Sequence, residues 1–305
     1  MSKPVKKYSG VIVPMVTPLT QAYTIDGMAV ERIIDQFVEA QVAPFLLGTT
    51  GESVSVTLEQ KKALVRETVH HVDKRCLVYA GISGNCLEDS IEEGKTYADM
   101  GVDALVAHLP FYYPLSPEQM LKYYEQIAEK VPAPLFLYNN PITTKFSVPL
   151  EVIEKLSYHP NIVGVKDSER GLERLDTSVS LWADREDFAH LLGWAAQSAY
   201  AVEKGSDGIV PSTANITPKL YRDLYDAAIR GDASKALALQ EVTNQISEIY
   251  QLNRNVSRSI PALKVMMEVK GLCKPFVLPP MYEMGATEKE QVINMTNNQI
   301  MKQAV

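Results

Sequence analysis

Apolar positions along the chain fall into two recurring patterns. Short continuous apolar runs, rich in β-branched residues, alternate with longer stretches in which apolar residues return every three or four positions. The short runs predict eight strands: Gly10–Thr17, Val42–Leu47, Leu77–Gly81, Ala104–Ala107, Leu135–Tyr138, Ile162–Lys166, Ala189–Leu192 and Gly208–Pro211. They are continuous, not alternating, as strands covered on both faces should be. Helical periods lie between them. Met28–Glu39 gathers Val30, Ile33, Ile34, Phe37 and Val38 on one face, and Leu58–Val72, Leu87–Met100, Glu118–Lys130, Pro149–Leu156 and Leu172–Asp184 follow. Thr57 with Gln60, and Ser116 with Gln119, have the spacing of a capping box. Pro117 and Pro218 each stand one residue after a hydroxyl, where a helix loses nothing to proline.

A strand–helix alternation of this length argues for a parallel sheet. Eight repeats within about 230 residues fit a closed (β/α)8 TIM barrel over residues 1–230. A doubly wound open sheet is the alternative. It would carry a glycine fingerprint after its first strand, and none is there. Helix ends recur before Gly101 and Gly205, each leading through a turn into a strand, which repeats the αβ unit. Beyond Pro211, Tyr221–Ile229 completes the eighth helix. Ala233–Tyr250, Ile260–Lys270 and Glu288–Gln303 then read as a C-terminal helical extension over 231–305. It has no strand of its own, so it should pack on the barrel.

Composition narrows the function classes. With 46% hydrophobic and 22% charged residues, the chain is neither disordered nor low in complexity. Thirty Lys and Arg against 37 Asp and Glu leave a net charge of −7. The basic residues are scattered, which argues against a nucleic-acid partner. Cys76, Cys86 and Cys273 form no CxxC pair, so neither a disulfide framework nor a zinc site is expected. No apolar run approaches the roughly 20 residues needed to span a bilayer, so no membrane partner is expected. The start, Met1 to Lys7, is basic, but the following apolar run is cut by Pro14 and Pro18 and makes a poor signal peptide. A cytoplasmic protein is therefore expected. The five histidines show no zinc-helix spacing, and no phosphate loop or nucleophile elbow exists.

In a barrel the chemistry sits where strands end. The second strand ends in Gly48-Thr49-Thr50-Gly51-Glu52, where backbone N–H groups and hydroxyls can converge on a small anion. The fifth ends in Tyr138-Asn139-Asn140-Pro141, and a phenol there can relay a proton. The sixth ends in Gly164-Val165-Lys166-Asp167-Ser168. A lysine closing an apolar strand points into the barrel, and burial should free its amine for attack on a ketone. Its pairing with Asp167 would be poor, because adjacent strand residues face opposite ways. The fourth strand leads into Pro110-Phe111-Tyr112-Tyr113-Pro114, a stiff aromatic loop.

Together these segments resemble the dihydrodipicolinate synthase/N-acetylneuraminate lyase family, Schiff-base lyases on a (β/α)8 barrel with a helical extension. Pro14-Met15-Val16-Thr17-Pro18 with Asp26-Gly27, and Gly208 to Asn215, add to the likeness, which runs from about Val11 to Pro279. The resemblance implies that Lys166 forms a Schiff base with a 2-oxo acid such as pyruvate, that Tyr138 shuttles protons, and that Thr49 and Thr50 bind the carboxylate. It implies that Tyr112 reaches into a neighbouring subunit's site, hence a homo-oligomer, a dimer or tetramer. Ser168, Gly193, Val210 and Ser212 would line the substrate pocket, with no metal or other cofactor. Dihydrodipicolinate synthases carry an arginine two residues after the proline of the Tyr-Asn-x-Pro motif. Here Thr143 stands there, the candidate contact to the second reactant, with Lys145 nearby as a substitute. Sialic acid lyases place an Asp-Glu pair shortly after the glycine matching Gly193, where this chain has Ala195 and Ala196. The departures point to an aldolase or dehydratase acting on a 2-oxo acid with a modest, less polar second part, such as a 2-keto-3-deoxy sugar acid. Condensation of pyruvate with aspartate semialdehyde is the alternative. An N-acetylneuraminate lyase, or a barrel that binds a 2-oxo acid without turning it over, is further off.

Overall fold

The computed structural model describes residues 6–303. Eight parallel strands close into a barrel in chain order: β1 (Gly10–Pro14), β2 (Ala43–Leu46), β3 (Tyr79–Gly81), β4 (Ala104–His108), β5 (Leu135–Asn139), β6 (Ile162–Asp167), β7 (Ala189–Leu192) and β8 (Gly208–Ile209), with β8 pairing back onto β1. The main helices are α1 (Gly27–Glu39), α2 (Leu58–Val72), α3 (Leu87–Asp99), α4 (Pro117–Lys130), α5 (Leu150–Leu156), α6 (Leu172–Trp182), α7 (Ser198–Lys204) and α8 (Pro218–Ile229). Three more follow: α9 (Ala233–Gln251), α10 (Val256–Val269) and α11 (Ala286–Gln303). Both capping boxes form, and Pro117 and Pro218 open their helices.

Why the strands read as unbroken apolar runs is visible in β5. Phe136 and Tyr138 point into the barrel, where they join Tyr8, Ile12, Phe45 and Tyr79. Leu135 and Leu137 point outward and pack under the helices. Both faces exclude water, so both are apolar. The interior is crowded enough to dictate one glycine. A Cβ at Gly164 would lie 2.3 Å from the Phe136 ring and 2.5 Å from the Ala189 carbonyl oxygen.

Some boundaries differ from the sequence expectation, each for a local reason. β1 stops at Pro14, because the Val16 N–H is taken by the Asn215 side chain at 3.1 Å and not by a strand. α7 is seven residues long, too short to show a helical period beside the turn at Gly205. α10 starts at Val256, four residues before the expected Ile260, because the Asn255 side chain accepts from Arg258 N and caps it. Pro261 lies inside this helix instead of marking its start.

The extension is bolted to the barrel's mouth by a buried ion pair. Lys264 of α10 lies 2.5 Å from Glu52, in the loop after β2, and neither side chain is exposed. Lys264 also donates to the carbonyls of Thr17 and Phe276, and Glu52 accepts from the Leu278 N–H at 2.8 Å. Among the described residues no helix is long and apolar enough to cross a membrane.

Candidate active site

Tyr138 and Lys166 stand side by side, paired in register at the C-terminal ends of β5 and β6. The Lys166 amine lies 4.0 Å from the centre of the Tyr138 ring and 4.5 Å from that of Phe45. The residue is only 5% exposed. Burial lowers the amine below the ordinary lysine range, with the Tyr138 phenol opposing. Burial alone would raise the phenol, but the charge of Lys166 and hydrogen bonds from Thr49, Lys166 and Ser168 bring it below its ordinary value. Asp167, one residue on, faces the other way. Arg174 holds it at 2.8 Å and Asn139 at 2.9 Å, so it does not pair with Lys166.

The loop after β2 brings its hydroxyls to the same point. Thr49 Oγ1 lies 3.4 Å from the Tyr138 hydroxyl, and the Asn140 amide donates to both, at 3.3 and 3.0 Å. The Gly51, Glu52 and Ser53 N–H groups turn back onto the carbonyls of Gly48 and Thr49. None of the described residues accepts from the N–H of Thr49 or Thr50. Glu52 adopts a left-handed φ of 58°, a conformation its contacts to Lys264 and Leu278 hold in place.

A cavity of about 480 Å³ opens above this floor. Thr49, Thr50, Tyr138, Ser168, Gly193 and Ser212 line it. Gly193 is required by close approach: a Cβ there would lie 2.0 Å from Ser168 Oγ and 3.1 Å from Ser168 Cα. Val210 is buried in the barrel interior, in the same cluster as Tyr138. Ser212 is bonded at 2.7 Å to the hydroxyl of Tyr250, which α9 supplies.

The Thr143 hydroxyl donates to the Asn140 carbonyl at 3.1 Å, and the residue lines an adjoining, mostly apolar cavity that shares Thr49, Ile142 and Asn255 with the first. The short helical turn Pro141–Thr144 puts it there. Lys145 bonds the Ile142 carbonyl at 2.9 Å and lines the same adjoining cavity. Tyr112 is 75% exposed, packs edge-on against Tyr113, and lies outside its own chain's cavity. His108 is buried, 6.0 Å from the Tyr138 ring, and burial lowers its pKa.

Sequence reasoning missed the wall that the extension contributes. Ser247, Gln251, Asn255 and Ser259 line the cavity from α9, α10 and their connection. They add polar groups to a wall to which Trp194, Ala195, Ala196 and Ile260 contribute apolar ones. It also missed Asn140, although that residue lies inside the Tyr138-Asn139-Asn140-Pro141 segment, and Arg170, which lines the cavity just beyond Ser168.

A closed parallel barrel, with a buried amine, a phenol and a hydroxyl-bearing loop at its C-terminal mouth, has the layout of a (β/α)8 enzyme. Residues 7–299 match the model of the dihydrodipicolinate synthetase family, and the chain belongs to that family of lyases. It is 30% identical over 291 residues to "Probable 2-dehydro-3-deoxy-D-pentonate aldolase YjhH" of Escherichia coli (strain K12), covering 94% of this chain and 96% of that one. Dihydrodipicolinate synthase of Bacteroides thetaiotaomicron superposes with a TM-score of 0.91 at 31% identity, covering 98% of this chain and 100% of that one. YagE of E. coli K12, solved in complex with pyruvate, superposes with a TM-score of 0.90 at 26% identity, covering 96% and 99%.

Proposed function

We propose that the protein is a class I lyase in which Lys166 forms a Schiff base with a 2-oxo acid, as an aldolase or dehydratase of 2-keto-3-deoxy sugar acids or related compounds. The observation that carries this reading is the Lys166 amine, buried against the Tyr138 phenol beside the cavity floor. The pyruvate bound by YagE and the activity in YjhH's name support the substrate class.

The chemistry follows from the geometry. Thr49 and Thr50 hold the carboxylate through N–H and hydroxyl groups. The neutral amine attacks the ketone, and Tyr138 delivers a proton to the carbinolamine oxygen, which leaves as water. The resulting iminium withdraws electrons from the adjacent carbon. That carbon loses a proton, or breaks its bond to the next carbon, which leaves as an aldehyde as its hydroxyl gives its proton to the Tyr138 oxygen, and an enamine results. Proton return and attack of water on the iminium release the product and the free amine. Ser168, Gly193 and Ser212 shape the space for the rest of the substrate, with Val210 beneath. Thr143, its hydroxyl held by Asn140, offers nothing like an arginine fork, which argues against aspartate semialdehyde as second reactant. The exposed Phe111-Tyr112-Tyr113 loop fits coverage by a second copy of the chain, with Tyr112 entering that copy's site. The three free cysteines fit a reducing compartment such as the cytoplasm.

Borohydride reduction in the presence of pyruvate, followed by peptide mass spectrometry, tests the mechanism. An adduct on Lys166, absent from Lys166→Ala, is expected. An adduct on another lysine, or none, refutes it. A panel of 2-oxo acids and aldehydes then separates cleavage, dehydration and condensation.

A further inference from the structure

The cavity above Lys166 is lined by two guanidinium groups, Arg170 and Arg254, and by no Asp or Glu. Arg254 is committed: it holds Glu288 at 2.9 Å and the Ile249 carbonyl at 3.0 Å. Arg170 forms no ion pair or hydrogen bond with any described residue. The two carboxylates just before it in sequence are taken by Arg174, which lies 2.8 Å from Asp167 and 3.2 Å from Glu169. Glu169 is further held by Asn139 and Ser147, and its N–H is bonded to Asp167, so the short loop carrying Arg170 is anchored on both sides of that residue's neighbour. Arg170 is itself exposed, and the surface it presents is part of the wall of a cavity free of carboxylates, in a protein of net charge −7.

We propose that Arg170 is a specificity-determining residue that binds a second anionic group, a carboxylate or phosphate, at the far end of the 2-oxo acid substrate. The proposal rests on the Schiff-base reading, which places the first carboxylate at Thr49 and Thr50. The guanidinium fork pairs with either anion through two parallel hydrogen bonds. The side-chain amides and hydroxyls between the two ends, from Asn140, Ser247, Gln251 and Asn255, suit hydroxyl groups along the connecting chain. The position left by Thr143 is thus compensated from a different strand.

The test measures the concentration of 2-oxo acid that half-saturates borohydride trapping, in the full-length wild type, Arg170→Gln and Arg170→Lys. Two matched pairs are compared: 2-oxoadipate with 2-oxohexanoate, and 2-keto-3-deoxygluconate 6-phosphate with 2-keto-3-deoxygluconate. Wild type should favour the member with the distal anion in at least one pair. Arg170→Gln should shrink that preference on the order of ten- to a hundredfold, and Arg170→Lys less. The carboxylate pair responding identifies a dicarboxylate, and the phosphate pair a phosphorylated substrate. Pyruvate serves as the reference in every variant. Failure of pyruvate to label Lys166 in wild type overturns the Schiff-base reading itself. Labelling by pyruvate, with no preference in either pair or a preference that survives Arg170→Gln, overturns the role of Arg170 alone.

Discussion

Glu52→Gln removes one charge from the pair that joins the site loop to the helical extension. Glu52 and Lys264 are 2.5 Å apart with both side chains fully buried. Glutamine keeps the volume and an acceptor for the Leu278 N–H, but leaves the Lys264 ammonium without a counter-charge. Breaking a buried pair by removing one partner costs about 3–5 kcal/mol. Lys264 retains the Thr17 and Phe276 carbonyls at 2.7 and 2.6 Å, which puts the expectation at the low end of that range. At roughly 2–4 °C per kcal/mol for a large domain, the unfolding midpoint should fall by about 6–12 °C. Thermal unfolding of Glu52→Gln, Lys264→Met and the double variant completes a double-mutant cycle. The coupling should be about 2–3 kcal/mol, at the upper end for residues in contact. Because Glu52 follows Thr49 and Thr50 closely, the single variant should also raise the pyruvate concentration that half-saturates trapping. A midpoint within about 1 °C of wild type, or additive single effects, would refute the view that this pair holds the extension against the site.

Gly193→Ala should leave the barrel folded yet lower kcat/KM at least about tenfold, because the new Cβ displaces Ser168 into the cavity; circular dichroism with steady-state kinetics checks both parts. The rate of Schiff-base trapping should rise with pH as free amine forms, with a midpoint below the ordinary lysine value of 10.5, because burial disfavours the ammonium. Tyr138 opposes that shift, so Tyr138→Phe should move the midpoint lower still while slowing turnover by about 10²–10⁴-fold, and an upward shift would contradict the assigned contact.

All eight strands and their order were legible because both faces of each strand are buried, and burial writes itself as a continuous apolar run. Lys166 and Tyr138 were legible for a related reason. Each is a polar group closing such a run, and strand parity places both inside, as the register of Tyr138 with Lys166 bears out. The same parity turns Asp167 outward to Arg174. The capping boxes at Thr57 and Ser116 were readable because both partners lie within one helical turn.

What spacing could not carry is contact between distant segments. Glu52 and Lys264 are 212 positions apart and look like unrelated charges until α10 folds across the barrel mouth. Tyr250 and Gln251 end an ordinary helix and Asn255 caps the next, and only packing turns them into a cavity wall. Thr143 stands in the chain beside a site residue, and only the fold shows that it lines an adjoining cavity with Thr49, His108 and Phe111. Local periodicity thus determined the barrel and the residues at its strand ends, since each depends on neighbours a few positions away. The far wall of the site, and with it the isolation of Arg170, was decided by tertiary structure alone, because which charges find partners depends on which surfaces meet.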